Sequence, residues 1–151
     1  MDFTLNLIRN IAAVVVGLVL GGIINWYIGI LNTQIFPLPE GETFRSLMED
    51  SEALKVWIES LPQTAFILVL VAHLSQAFFG GYIAALISKR NVMCVAMVVG
   101  GVSLLAGLMN MASIPAPLWL WVEMPLYLLV AWYASKLELM RRNRKAAPLN
   151  Q

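Results

Sequence analysis

The chain has 151 residues, of which 60% are hydrophobic and 13% are charged, and its mean hydropathy is +0.75. Soluble domains contain about 25% charged residues, so this composition excludes an ordinary soluble domain and predicts a membrane protein. The net charge of +1 carries little information, because acidic and basic residues fall in different segments. With one cysteine and one histidine, the chain can form no intrachain disulfide and no zinc site built from those two residue types.

Four apolar segments are long enough to be membrane-spanning helices: about 8–31, 62–87, 92–111 and 116–137. Each has roughly 20 or more residues, enough at 1.5 Å per residue to cross a hydrocarbon core about 30 Å thick. We therefore predict an all-α integral membrane four-helix bundle that forms a single transmembrane domain over 1–151. The first apolar segment is longer than a signal-peptide core and no small-residue cleavage site follows it, so we interpret it as a retained anchor.

Lysine and arginine are unevenly distributed between the loops. The segments on one side of the predicted membrane hold eight of them: Arg9, Lys89, Arg90, Lys136, Arg141, Arg142, Arg144 and Lys145. The loop on the other side, 32–61, holds only Arg45 and Lys55. The positive-inside rule therefore predicts a multi-pass protein of the bacterial inner membrane with both termini in the cytoplasm. We expect the basic tail 138–151 to contact phospholipid and not nucleic acid.

The outer loop 32–61 is acidic and also carries an apolar pattern. Its six carboxylates and two basic residues give a net charge of −4. Thr43 is placed to cap a helix, and six apolar residues fall on one side of that helix: Phe44, Leu47, Met48, Leu54, Ile58 and Leu61. This pattern predicts a short helix packed over the outer ends of the spans. A helix that docks a partner protein is the alternative.

Two segments of the chain end in the same way. "GILNTQIFPLP" at 29–39 and "GLMNMASIPAP" at 107–117 both follow an apolar run, and a Gly-Gly pair lies upstream of each, at 21–22 and at 100–101. The pattern predicts two parallel helical-hairpin repeats, a known arrangement in transporters. Turn chemistry alone, or chance, is the alternative explanation.

Small residues recur at helical spacing in the first three spans. Because lipid provides no hydrophobic drive for helices to associate, such residues mark the places where backbones approach closely. The predicted helix-packing glycines are Gly17, Gly21, Gly80, Gly100 and Gly107. Val99 is expected to lie on a neighbouring face that tolerates extra bulk.

Two ionisable residues lie within the predicted spans and could form a site. A charge at the centre of a bilayer costs about 2.5–3.5 kcal/mol on insertion scales, so His73 and Glu123 each need a reason to be there. Counting from the outer helix ends places them at depths that differ by roughly 6 Å, within reach of one another. The predicted outer-leaflet pocket also includes Gln76, Asn25, Asn110 and Trp119. The position of Trp119 is typical of the aromatic belt at a membrane interface, and stacking on a ligand is the alternative. Pro125 is expected to bend the fourth span beside the pocket.

The polar residues of this pocket admit several functions. The leading expectation is a non-enzymatic protein that binds or passes a small or lipidic ligand. The alternative without a ligand is a His73–Glu123 bond that only stabilises the bundle. An accessory or structural subunit of a larger membrane complex, docking a partner or a second copy, is the competing class. An intramembrane enzyme using His73 and Glu123 comes third. The sequence has no nucleophile motif, phosphate loop or metal set, so no catalytic residue, metal or cofactor is assigned.

Three segments resemble a group of small, uncharacterised bacterial inner-membrane proteins with four predicted transmembrane helices. These segments are "PLPEG" at 37–41, "AHLSQAFFGGYIAALISKR" at 72–90 and "NMASIPAPLW" at 110–119. The resemblance covers roughly residues 20–135. It implies the same four-helix topology and supplies no substrate, cofactor or functional residue.

Overall fold

A computed structural model describes residues 2–146, and every regular element in that range is helical. The elements in chain order are α1 (Asp2–Ile35), α2 (Phe44–Glu49), α3 (Ser51–Ser60), α4 (Gln63–Ile87), α5 (Val92–Ser113), a 3₁₀ helix (Leu118–Val122) and α6 (Glu123–Ala146). Four segments are long and apolar enough to cross a membrane, which supports the predicted all-α class and a multi-pass membrane protein. The end of the predicted basic tail, 147–151, lies outside the described residues.

The four long helices alternate in direction along the bundle. The hydroxyl of Ser88, just past α4, donates to Oδ1 of Asn10 in the first turns of α1 at 2.9 Å. The guanidinium of Arg142, near the end of α6, donates to the carbonyl of Ala85 at 2.8 Å. The start of α1, the end of α4 and the end of α6 therefore meet at one end of the bundle, here called the termini end. The opposite end carries residues 36–62 and is called the loop end.

The loop end begins with a tight turn and a capped helix. The amide of Glu42 donates to the carbonyl of Pro39 at 3.1 Å, and Gly41 has φ = +83°, a conformation that favours glycine. Thr43 caps α2 as predicted, because its hydroxyl accepts from the amide of Ser46 at 3.1 Å. The single predicted helix is instead two helices, since Asp50 ends α2 and its carboxylate caps α3.

The break at Asp50 changes which apolar residues of the loop are buried. Leu47, Leu54 and Ile58 form a cluster with Phe66 in the first turn of α4. Phe44 and Met48, which the sequence analysis placed on the same face, are 47% and 42% exposed, so that prediction is wrong for those two positions. A helix that stops and restarts shifts its phase, so residues on either side of the break no longer follow one 3.6-residue repeat.

Glycines bring α1 and α4 into backbone contact. A Cβ built on Gly80 would lie 2.7 Å from the carbonyl oxygen of Gly17, and one on Gly21 would lie 2.5 Å from that of Gln76. Neither position has room for a larger residue, because that gap is closed by backbone atoms. Val99 is fully buried and lies against Gly80, so the expectation that it tolerates extra bulk is wrong.

The fourth span is built from two kinds of helix. The predicted continuous segment 116–137 is a 3₁₀ helix over Leu118–Val122 followed by α6 from Glu123. Pro125 therefore lies in the first turn of α6, where a missing amide hydrogen leaves no helical bond unmade. The expectation that Pro125 bends a continuous helix is replaced by a change of helix type two residues earlier.

Candidate functional site

The structure brings His73 of α4 and Glu123 of α6 together, as the sequence analysis predicts. Nδ1 of His73 lies 3.1 Å from Oε2 of Glu123. The Glu123 side chain is fully buried, whereas that of His73 is 16% exposed. The pair therefore joins two helices across the interior of the bundle, in the half nearer the loop end.

The local structure explains why a carboxylate is tolerated at position 123. Glu123 is the first residue of α6, at the positive end of that helix's dipole, and its own amide donates to the carbonyls of Leu120 and Trp121 in the preceding 3₁₀ helix. The same residue inside a continuous helix would lack that compensation. The change from 3₁₀ to α-helix thus places this buried acidic side chain at the N-terminus of a helix.

Hydrogen bonding satisfies Glu123 only in part. Oε2 contacts His73, but Oε1 is buried and has no hydrogen-bond partner within the described residues. Neither Gln76 nor Asn110, which the sequence analysis places in the same pocket, supplies the missing partner. Gln76 is engaged elsewhere, because its Oε1 accepts from Nδ2 of Asn25 at 2.9 Å.

A small polar cavity lies beside the pair, with a volume of about 90 Å³. All four long helices contribute to its lining: Asn25, His73, Gln76, Ser103, Ala106, Gly107, Asn110 and Tyr127. Six of these eight side chains are polar, and the hydroxyl of Ser103 is buried with no partner. A cavity of this kind has the space and the polar groups to hold a few water molecules or a small polar ligand.

Two polar lining residues, Tyr127 and Ser103, were not predicted as part of a site. Tyr127 follows Glu123 by one helical turn, and this i, i+4 spacing was the available signal. Ser103 falls within the small-residue pattern of the third span, where packing alone accounts for it. The structure also gives Gly107 a specific role, since a Cβ there would lie 2.6 Å from the hydroxyl oxygen of Tyr127.

Trp119 does not join the other predicted site residues. Its Nε1 donates to Oε1 of Gln63 at 2.6 Å, at the junction of the 3₁₀ helix with the start of α4. The side chain is 40% exposed and does not line the cavity. Trp119 therefore connects two helices at the loop end.

The cavity is open on the side of α5. Ala106 and Asn110 are exposed, although both line it. Asn110 is less than one turn from the end of α5 at Ser113, so the opening lies close to the loop end.

The charges around the cavity are few and of one sign. No lysine or arginine lines the cavity. Glu123 does not line it either, but contacts His73, which does. When Glu123 is ionised, the proton of the contact belongs to Nδ1 of His73, and Nε2 of the neutral ring is left as a hydrogen-bond acceptor. Within residues 2–146, no cluster of three or more His, Cys, Asp or Glu side chains is placed to hold a metal ion.

No protein-family model matches this chain, and neither a curated protein nor a solved structure matches it. The geometry of the cavity is therefore the basis on which a function can be proposed.

Proposed function

We propose that this chain is a multi-pass membrane protein that binds a small polar ligand in the cavity beside His73 and Glu123. The observation that carries this proposal is the buried, unpartnered hydroxyl of Ser103 in the cavity wall. A buried polar group without a partner costs about 1–3 kcal/mol, and a ligand or ordered water at that position removes the cost. Oε1 of Glu123, next to the cavity, is also buried and has no hydrogen-bond partner among the described residues.

The size of the cavity limits the ligand. A volume of about 90 Å³ accepts an ion, a few waters or a very small molecule, and not an acyl chain. A lipidic ligand can therefore place only the tip of its headgroup inside. The same limit disfavours an intramembrane enzyme using His73 and Glu123, because it leaves room for a very small substrate only.

Thermal shift of the purified protein in mild detergent tests the proposal. Methylammonium, formate and acetamide represent small cations, anions and neutral polar compounds, and we expect one class to raise the melting temperature in a saturable manner. A ligand at 100 times its Kd adds about 2.7 kcal/mol, which corresponds to several degrees. Ala106→Leu fills the cavity wall and should remove the effect, whereas Ala112→Leu, on an exposed part of α5, should retain it. If none of the three compounds shifts the melting temperature, the proposal is wrong.

We also propose that the loop end faces the periplasm of a bacterial inner membrane and that the termini end faces the cytoplasm. Eight of the ten basic residues belong to the termini end, which supports this orientation. In a Cys94→Ser background, a cysteine in place of Ser51 should react with an impermeant maleimide in intact cells, and one in place of Asn143 should not. Labelling at position 143 in intact cells contradicts the orientation.

A second candidate function is that of an accessory subunit in a membrane complex. Gly22 of α1 and Gly101 of α5 have no atoms within 4 Å of a built Cβ, so the bundle itself does not use them for close packing. Such positions suit contact with another helix. Purification in mild detergent tests this candidate: a protein that co-purifies with wild type but not with Gly22→Leu or Gly101→Leu would favour it, whereas equal recovery would count against it.

A further inference from the structure

We propose that the ligand of the cavity is a primary ammonium group, either a free small amine or the tip of a phospholipid headgroup. This inference rests on the proposed function, because it names the chemical class that the same cavity accepts. Charge is the first argument. No lysine or arginine lines the cavity, and the acidic side chain of Glu123 lies beside it in contact with His73. A cation is therefore favoured over an anion next to this carboxyl group.

The hydrogen-bonding groups provide the second argument, because acceptors are available and matched in number to an ammonium group. Oδ1 of Asn25 is free, since its amide nitrogen is the atom bound to Gln76. The hydroxyl of Ser103 has no partner, and Nε2 of His73 is an acceptor in the neutral ring that carries its proton on Nδ1. A primary ammonium has three N–H donors, and the three residues that offer these acceptors, on α1, α5 and α4, line the same cavity.

Divalent metal ions fit this donor set less well. Calcium and magnesium take six or more oxygen ligands and are usually bound through more than one carboxylate, whereas this site has one carboxylate and its Oε2 contacts His73. Tyr127 adds an aromatic ring stacked 6.5 Å from that of His73, and aromatic faces attract organic cations.

The position of the opening explains why a headgroup and a free amine are both sources of the same chemistry. Asn110, at the exposed mouth, is less than one turn from the end of α5. In a membrane, that level is close to the zone of lipid headgroups. An ethanolamine headgroup carries its ammonium at the tip, so the group can enter while its phosphate stays outside.

Paired cations test the inference on the whole protein. Purified protein is titrated with methylammonium chloride, tetramethylammonium chloride and sodium chloride at constant ionic strength, and the melting temperature is recorded. Tetramethylammonium has the same charge and no N–H donors, so only methylammonium should give a saturable rise. For the headgroup source, vesicles of phosphatidylethanolamine are compared with vesicles of phosphatidylcholine, whose quaternary headgroup also has no N–H donor. A rise with phosphatidylethanolamine but not with methylammonium assigns the headgroup, and the reverse assigns a free amine.

Variants distinguish the site from a general effect on the membrane protein. Ser103→Ala removes one acceptor and should raise the half-saturating concentration about ten-fold, as expected for a bond to a charged group. Ser113→Ala, exposed on the same helix, is the matched control and should bind like wild type. Glu123→Gln should abolish the response, and Ser103→Ala alone decides the result if Glu123→Gln does not fold.

Several results would overturn the inference, and they differ from those that overturn the proposed function. A response to formate or acetamide but not to methylammonium leaves a ligand-binding cavity and excludes the ammonium. Equal responses to sodium and methylammonium also exclude it. So do equal responses of the wild type and of Ser103→Ala to methylammonium. If no compound of any charge class changes the melting temperature, both the inference and the proposed function fail.

Discussion

Two glutamates of α6, Glu123 and Glu138, are fully buried, and their surroundings differ in one respect. Both oxygens of Glu138 are bound: Nε and Nη2 of Arg141 donate at 2.6 and 2.7 Å, and Nε of Arg142 donates at 2.7 Å. Glu123 makes one short hydrogen-bond contact, with His73 at 3.1 Å, and the side chain of Tyr127 lies nearby, but its second oxygen has no hydrogen-bond partner in the described chain. A saturated carboxylate indicates a structural role, whereas an unsaturated one beside a cavity indicates that a ligand or water completes the site.

The partners of Glu138 explain what it holds in place. Arg142 also donates to the carbonyls of Ala85 and Ser88 at 2.8 and 2.6 Å, where α4 ends. The last carbonyls of a helix lack intrahelical donors, and a cation there also offsets the negative end of the helix dipole. Glu138 therefore orients a guanidinium that closes the end of α4. Glu123 orients no such group at a helix end within the described residues.

Glu138→Ala should cause the largest loss of stability. Removing one partner of a buried ion pair costs about 3–5 kcal/mol, and we expect roughly 2–3 kcal/mol here, because the side chains of Arg141 and Arg142 are 39% and 28% exposed. Thermal unfolding in detergent measures the change. Glu123→Ala leaves only His73 without its partner, so it should lower the free energy of unfolding by clearly less. If Glu123→Ala proves the more destabilising of the two, the contrast between a structural and a functional carboxylate is wrong.

Adjacent glycines on α5 test whether close packing against α6 positions both carboxylates. A Cβ on Gly100 would lie 2.6 Å from Cβ of Ala131, whereas one on Gly101 would meet nothing within 4 Å. Gly100→Ala should cost about 1–3 kcal/mol through overpacking, and Gly101→Ala should be neutral or slightly stabilising through helix propensity. Melting temperatures of the two variants measure the difference. Equal values would mean that α5 and α6 do not approach as described.

A double-mutant cycle on His73 and Glu123 should give the smallest effect and sharpen the comparison. Removing one partner leaves the other unpaired, so His73→Ala and Glu123→Ala should together lose about 1 kcal/mol less than the sum of the single variants. Melting curves of the wild type, the two single variants and the double variant in one detergent measure the coupling. Strict additivity would show that the 3.1 Å contact contributes nothing to stability.

The His73–Glu123 contact was predictable from sequence because the bilayer restricts the alternatives. Ionisable side chains inside apolar spans need partners, and residue counting along straight helices gives their depth to within a few ångströms. The pairing of Gln76 was not predictable in the same way. Gln76 has neighbours on several helices at similar depth, and only the rotation of α1 about its axis decides that Asn25 is the one it meets. The two-hairpin repeat stays a prediction.

The loop end shows a second limit of sequence reasoning. Thr43 was identified as a cap because its hydroxyl acts on an amide three residues away. Asp50 satisfies the same rule and was overlooked, so one helix was predicted where two form, and the burial of Phe44 and Met48 was wrong. Local rules name the candidates for a cap, but the apolar cluster around Phe66 also contributes to the choice of where the chain turns.

By itself, the sequence determined the number of helices long and apolar enough to cross a membrane and the proximity of His73 to Glu123, because hydrophobic length and the cost of isolated charges are local properties. Only the tertiary structure decided which glycines are in contact, since Gly100 and Gly101 differ in sequence context by one position and in environment by the direction in which each faces. It also decided that Glu138 is saturated and Glu123 is not. That difference depends on how α4 and α6 pack, because the groups that complete a buried carboxylate can lie fifty residues away in the chain.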